Sequence, residues 1–144
     1  MNIKLLVTFS IVLILLDILW LQYFVTIIGP LIEKIQNSPL KLNTYGAVLA
    51  YVIMVIAYYN LAYDGDRPNY FKAVILGLAI YGTYEFTNYA TFSKWDLKVL
   101  GMDIGWGVTL SIISLFITDK IYSLIKNWKI INNYTYIEYL YNIL

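Results

Sequence analysis

Three carboxylates lie where a bilayer-spanning chain would have to bury them. Asp17 is the only charged residue between positions 5 and 28, Glu85 lies well inside a later apolar run, and Asp103 lies in the first turn of another. On insertion scales a charge at the bilayer centre costs about 2.5–3.5 kcal/mol unless it is paired, protonated or hydrated. Such acids are therefore candidates for binding a proton, an ion or a polar ligand.

Aromatic, hydroxyl and amide side chains accompany these acids at helical spacing. Trp20 follows Asp17 by three residues and Trp106 follows Asp103 by three, so each indole shares a helix face with its acid. Around Glu85, polar groups lie on the same or the adjoining helix face: Tyr81, Tyr84, Asn88 and Thr91. No lysine lies deep in these runs, so no buried base would neutralise the acids.

The residue types that are missing exclude much chemistry. The sequence has no cysteine and no histidine, which removes disulfides, thiol catalysis, the usual zinc sites and imidazole general bases. No GxGxxG, Walker or HExxH pattern occurs. The sequence therefore predicts no catalytic residue and no cofactor, whereas metal binding and enzymatic activity stay open.

The overall composition predicts a lipid environment. Of the 144 residues, 60% are hydrophobic and 13% are charged, about half the charge of an average soluble domain. The formal net charge of +1 provides no basic field for nucleic acid. Lysine, isoleucine, asparagine and tyrosine are frequent, which is typical of A/T-rich coding. A bacterial plasma membrane or a viral or host membrane is the predicted location.

Four apolar runs are each long enough to cross the hydrocarbon core, which needs about 20 residues. Gly29-Pro30 is predicted to end the first helix and the turn signal at 64–69 to separate the second from the third. The tail is too polar to span, and its apolar residues recur at helical spacing, which predicts an amphipathic surface helix. The predicted fold is all-α: a four-helix transmembrane domain over 1–126, with spans at 5–28, 44–63, 70–92 and 101–125, and an interfacial tail over 127–144.

The distribution of lysine and arginine predicts the orientation. With four spans, six basic residues lie on the side of the termini and four on the other side. Cytoplasmic segments carry the excess, so both termini are predicted to be cytoplasmic. In this topology all three acids lie at the midplane or in the outer half of the bilayer, where they can converge.

Each feature also has a purely structural interpretation. Asp103 near a helix N-terminus can simply complement the helix dipole. The tryptophans can be interface anchors. Asp17 and Glu85 can be protonated side chains that join helices by hydrogen bonds.

These motifs together resemble a family of small, mostly bacterial membrane proteins, domain of unknown function 2177, over about residues 3–125. The segments that carry the resemblance are Asp17–Trp20, Tyr81–Thr91, Trp95 and Asp103–Gly107. The resemblance implies a four-span fold and supports one set of site residues: Asp17, Trp20, Tyr81, Tyr84, Glu85, Thr87, Asn88, Thr91, Asp103 and Trp106. The family usually has Asp where this chain has Glu85, and the longer reach argues against a tight metal geometry.

Three functions fit these features. The first is an oligomeric binding or transport protein that takes a proton, a cation or a small cationic solute, and four helices are few enough that a homo-oligomer is implied. The second is a membrane scaffold or assembly subunit without transport or catalysis. The third is an intramembrane enzyme that modifies lipid with the same acids, which would need a lipid-sized groove between helices.

Overall fold

The computed structural model describes the backbone of residues 2–141 and the side chains of residues 2–128. Within this part the chain is almost entirely helical. Its elements are α1 Ile3–Gln36, α2 Thr44–Leu61, β1 Tyr63–Asp64, β2 Arg67–Pro68, α3 Tyr70–Gly77, a π-helical segment Leu78–Gly82, α4 Thr83–Thr91 and α5 Leu97–Tyr141.

Helix α1 continues through the proline that was predicted to end it. Pro30 lies inside the helix, which ends at Gln36, so that prediction is wrong. Asn37 caps the helix in the left-handed conformation, and its N–H donates to the carbonyl of Glu33 at 2.9 Å. The last turns also pack against the buried loop residue Trp95. Burial and the cap together compensate for the hydrogen bond that proline removes.

A short hairpin joins α2 to α3, as the turn signal predicted. Strands β1 and β2 pair antiparallel around Gly65, whose φ of 66° is the conformation that a tight hairpin loop requires. Asn69 caps α3 by accepting from the N–H of Lys72 and also donates to Asp64. That hydrogen bond, followed by the ion pair with Lys72, holds the pKa of the Asp64 carboxyl below its usual value.

The third predicted span is not a regular α-helix. Its backbone stays helical from Tyr70 to Thr91 but passes through the π-helical segment, with Gly77 and Thr83 at the two junctions both right-handed helical. In the described residues three helices are long and apolar enough to cross a membrane: Ile3–Gln36, Thr44–Leu61 and Leu97–Trp128. The all-α membrane fold is thus observed, and a four-span count is not established.

Helices α3 and α5 approach closely through two glycines. A Cβ atom added at Gly77 would lie 2.5 Å from Ser111 Oγ and 2.8 Å from the carbonyl oxygen of Gly107. A Cβ added at Gly107 would overlap the ring of Tyr81. Small residues allow this approach in a bilayer, where van der Waals packing holds helices together.

The rest of the molecule matches a lipid environment. Large apolar side chains cover its outside, among them Leu19, Ile53, Phe71 and Phe86, each more than half exposed. The predicted amphipathic surface helix over 127–144 lies almost wholly outside the residues whose side chains are described. The backbone of α5 is described as helix as far as Tyr141.

We expect Gly107→Ala to lower the free energy of unfolding by about 1–3 kcal/mol, the usual cost of overpacking a close contact. Thermal denaturation in detergent, followed by tryptophan fluorescence, measures the effect. Gly29→Ala inside α1 is the matched control, because nothing lies within 4 Å of a Cβ at that position. Equal stability of the two variants would contradict the described α3–α5 contact.

Candidate functional site: buried carboxylates beside an apolar cavity

All three acids singled out from the sequence lie inside the protein. Asp17 in α1 is 6% exposed, Glu85 in α4 is 0% exposed and Asp103 in α5 is 6% exposed. These carboxylates are therefore buried within the bundle rather than exposed to lipid. Neighbouring side chains must therefore supply the hydrogen bonds that water would otherwise make.

Asp17 accepts hydrogen bonds from three different elements. Its Oδ2 accepts from the hydroxyl of Tyr51 in α2 at 2.9 Å. Its Oδ1 accepts from Trp106 Nε1 in α5 at 2.8 Å and from the Tyr81 hydroxyl in the π-helical segment at 3.3 Å. All three groups act as donors here, which suits an ionised carboxylate because it can only accept.

One hydrogen bond joins the two Asp-x-x-Trp motifs across the helices. Trp106 donates to Asp17 in the opposite motif, rather than to Asp103 in its own. Trp20 stacks on Trp106 with ring centroids 4.8 Å apart and planes 10° apart. It also stacks on Phe24 at 5.3 Å. The motifs therefore form one aromatic row between α1 and α5.

Glu85 and Asp103 form a second carboxyl pair. Trp95 Nε1 donates to Glu85 Oε2 at 2.8 Å, and the carboxyl group of Asp103 lies in side-chain contact with that of Glu85. Glu85 Oε1 and Asn88 Nδ2 are buried without a hydrogen-bond partner among the described residues. Two buried carboxyl groups in contact are stable together when they share one proton.

A cavity of about 470 Å³ lies beside these groups, between α1, α2 and the π-helical segment. Its polar end carries the carboxylates of Asp17 and Asp103. Its walls are mostly apolar, and no lysine or arginine belongs to the lining that the structure describes. The residues that form it include Trp20, Ile28, Ile32, Leu40, Leu42, Tyr51, Met54, Tyr81 and Tyr84.

The remaining predicted site residues are placed differently. Tyr84 lines the cavity but is about half exposed. Thr87 and Thr91 lie on a separate, shallow depression beside Phe86, and the Thr91 hydroxyl donates to the Thr87 carbonyl. Among residues 2–128, no three acidic side chains converge in a way that could hold a metal ion.

Two contributors to the site were missed by sequence reasoning. Tyr51 is not among the predicted site residues, although its position deep in an uncharged helix is unusual for an interface tyrosine. Trp95 carries part of the family resemblance but is not among the predicted site residues, and it is 6% exposed because it folds back onto Glu85. A tryptophan within a charged loop is the signal that could have indicated its burial.

A helical chain with several apolar helices and a buried polar site is a polytopic membrane protein. The family model described as "Predicted membrane protein (DUF2177)" matches residues 2–118. The chain therefore belongs to this family, which confirms the resemblance carried by its Asp-x-x-Trp and third-run motifs. A search of curated proteins and a search of solved structures each found no match.

We expect Tyr51→Phe to lower the free energy of unfolding by about 1.5–3 kcal/mol, because Asp17 loses a donor to a charged acceptor. Tyr45→Phe on the same helix is the control, since Tyr45 is 86% exposed. Thermal denaturation of both variants in detergent tests this. If both variants match the unmodified protein, the hydrogen bond to Asp17 contributes nothing to stability.

Proposed function

We propose that the protein is a membrane-embedded binding or transport protein that takes up a proton, a cation or a small cationic solute at Asp17 and Asp103. The observation that supports this proposal is the cavity of about 470 Å³ with two carboxylates at its polar end and no basic side chain in its described lining. Carboxylates in apolar surroundings attract cations strongly, because the field is weakly screened there.

The aromatic side chains beside the two carboxylates favour an organic cation as the ligand of this cavity. Trp20 lines the cavity beside both acids, and Trp106 is stacked against it. Tyr51, Tyr81 and Tyr84 also line the cavity, and the faces of aromatic rings attract ammonium and guanidinium groups, most strongly where water is excluded. Apolar walls around a charged end suit a solute with one cationic group and a small apolar body.

The transport form of this proposal includes four spans, cytoplasmic termini and a homo-oligomer. The helical segment from Tyr70 to Thr91 would be the third span, with the π-helical turn inside it. Gly101 and Gly105 lie exposed on α5 with open space around them. A Gly-x-x-x-Gly pair on a lipid-facing surface supports close approach of a second copy.

The test is a binding titration with guanidinium, choline, Na⁺ and K⁺, followed by the fluorescence of Trp20 and Trp106. We expect at least one of these cations to bind, and Asp17→Asn to weaken its binding about tenfold or more, because the carboxylate supplies the charge. Asp96→Asn in the exposed loop is the matched control and should leave binding unchanged.

Two outcomes would refute cation binding at this site: none of the four cations binds, or Asp17→Asn binds as the unmodified protein does. The interpretation as a membrane scaffold or assembly subunit would then be favoured. Copurification of partners from native membranes would be the next measurement. Flux of the bound cation into proteoliposomes separates transport from binding alone.

A second candidate has one observation in its favour. Ile28, Ile32, Leu40 and Leu42 line the cavity, and apolar walls of this kind are what a lipid-modifying enzyme would need. Asp17 and Asp103 would then act as general acid and base on a lipid headgroup. Mass spectrometry of lipids incubated with the protein and with Asp103→Asn tests this, and identical lipid profiles would exclude it for the lipids supplied.

A further inference from the structure

A row of buried hydroxyl groups lies in the part of the protein that packs against α1 before Asp17, whereas the cavity is lined by α1 residues from Asp17 onward. Ser111, Ser114 and Thr118 on α5 are each 0% exposed, and their spacing of three and four residues places them on one helix face. Tyr58 from α2 is also 0% exposed, and Tyr63 from β1 is 6% exposed. Five hydroxyl-bearing side chains thus lie buried in one part of a membrane protein.

This row begins beside Asp17. The Tyr58 hydroxyl is hydrogen-bonded to Ser111 Oγ, which in turn donates to the Gly107 carbonyl at 2.6 Å. Tyr81, which donates to Asp17, packs over Gly107, the residue whose carbonyl accepts from Ser111. The buried carboxylate and the first hydroxyl groups of the row therefore belong to one polar cluster.

The row ends at a polar network on the protein surface. Tyr63 and Thr118 are both buried at this end of the row. Tyr122 follows Thr118 by one helical turn and packs against the core cluster that contains Tyr63. The Tyr122 hydroxyl donates to Asp66 Oδ2 at 3.2 Å, and Asn2 Nδ2 donates to the same oxygen at 3.0 Å. Asp66 is exposed, so its carboxylate can exchange protons with water.

Close packing explains only part of this row. Ser111 lies where α3 and α5 approach through Gly77, so a small side chain is required there. Ser114 Oγ, Thr118 Oγ1 and the Tyr63 hydroxyl, however, are buried without a hydrogen-bond partner among the described residues. Alanine in place of serine, valine in place of threonine and phenylalanine in place of tyrosine would fill the same space without burying an unsatisfied hydroxyl group.

We propose that Tyr58, Ser111, Ser114, Thr118 and Tyr63 form a proton path between Asp17 and the surface network around Asp66. The proposal rests on the proposed function, since it assigns to the Asp17 site a route for protons separate from the cavity. It assigns a role to buried hydroxyl groups that cation binding itself does not use.

The transfer is balanced and involves no oxidation or reduction. At each hydroxyl oxygen, a new O–H bond forms to the incoming proton while the existing O–H bond breaks toward the next acceptor, so one proton leaves for each that enters. Cβ atoms three or four residues apart on a helix are about 5–6 Å apart, so one water between two hydroxyl groups completes their hydrogen bonds. From Ser111 to Thr118 the path advances about 10 Å along the helix.

The test measures proton flux into proteoliposomes that contain a pH-sensitive dye, driven by a potassium diffusion potential set with valinomycin. We expect the unmodified protein to conduct protons and Thr118→Val to lower the rate about tenfold or more, because one hydroxyl of the path is removed. Thr109→Val is the matched control: Thr109 is on the same helix but exposed, and its hydroxyl donates to the Gly105 carbonyl.

Cation binding is measured on the same preparations, which separates the two proposals. Thr118→Val should bind the cation as the unmodified protein does. If Asp17-dependent binding is present but the unmodified protein conducts no protons, or if Thr118→Val conducts at the full rate, the proton path is refuted and the binding site stands. If binding and flux are both absent, both proposals are refuted. Should Thr118→Val fail to fold, Ser114→Ala decides by the same criteria.

Discussion

The hydrogen bonds to Asp17 are the interaction on which the rest of the structure depends. A carboxylate at this depth has no water to solvate it, so the protein must bring donors to it from elsewhere. Those donors come from α2, α5 and the π-helical segment. Their hydrogen bonds to Asp17 in α1 fix the positions of these four elements relative to one another. Helices in lipid gain little from hydrophobic association, so such polar contacts and close packing specify their arrangement.

The unusual backbone of the third run is connected with this requirement. Tyr81 lies in the π-helical segment and packs over Gly107 to reach Asp17. A π-helical turn inserts an extra residue and rotates the side chains that follow it relative to a regular α-helix. Glu85 follows this segment and faces Trp95 and Asp103 rather than Asp17. Tyr81 therefore contributes to the Asp17 site, whereas Glu85, which follows the π-helical segment, contributes to the second carboxyl pair.

The sequence predicted which residues are buried better than it predicted their partners. Apolar run length and the cost of a charge in lipid were sufficient to place Asp17, Glu85 and Asp103 inside the bundle. Helical spacing placed each indole beside the acid of its own motif, but it does not specify that Trp106 donates to Asp17 in the other motif. Pro30 within α1 and the π-helical segment depend on tertiary packing, which can outweigh local preference.

The carboxylate of Asp17 has more hydrogen-bond donors than the carboxyl groups of the Glu85–Asp103 pair, and this difference distinguishes the two sites. Asp17 has three donors, so it is already stabilised as an acceptor, whereas Glu85 Oε1 has no partner among the described residues. Asp17 also lies between the apolar cavity on one side and the hydroxyl groups that begin at Tyr58 on the other. A single carboxylate between two separate polar regions can exchange a cation with one and a proton with the other. Coupling of cation exchange to proton exchange requires that the two reach Asp17 from separate regions. If both entered through one region, each would equilibrate there independently of the other.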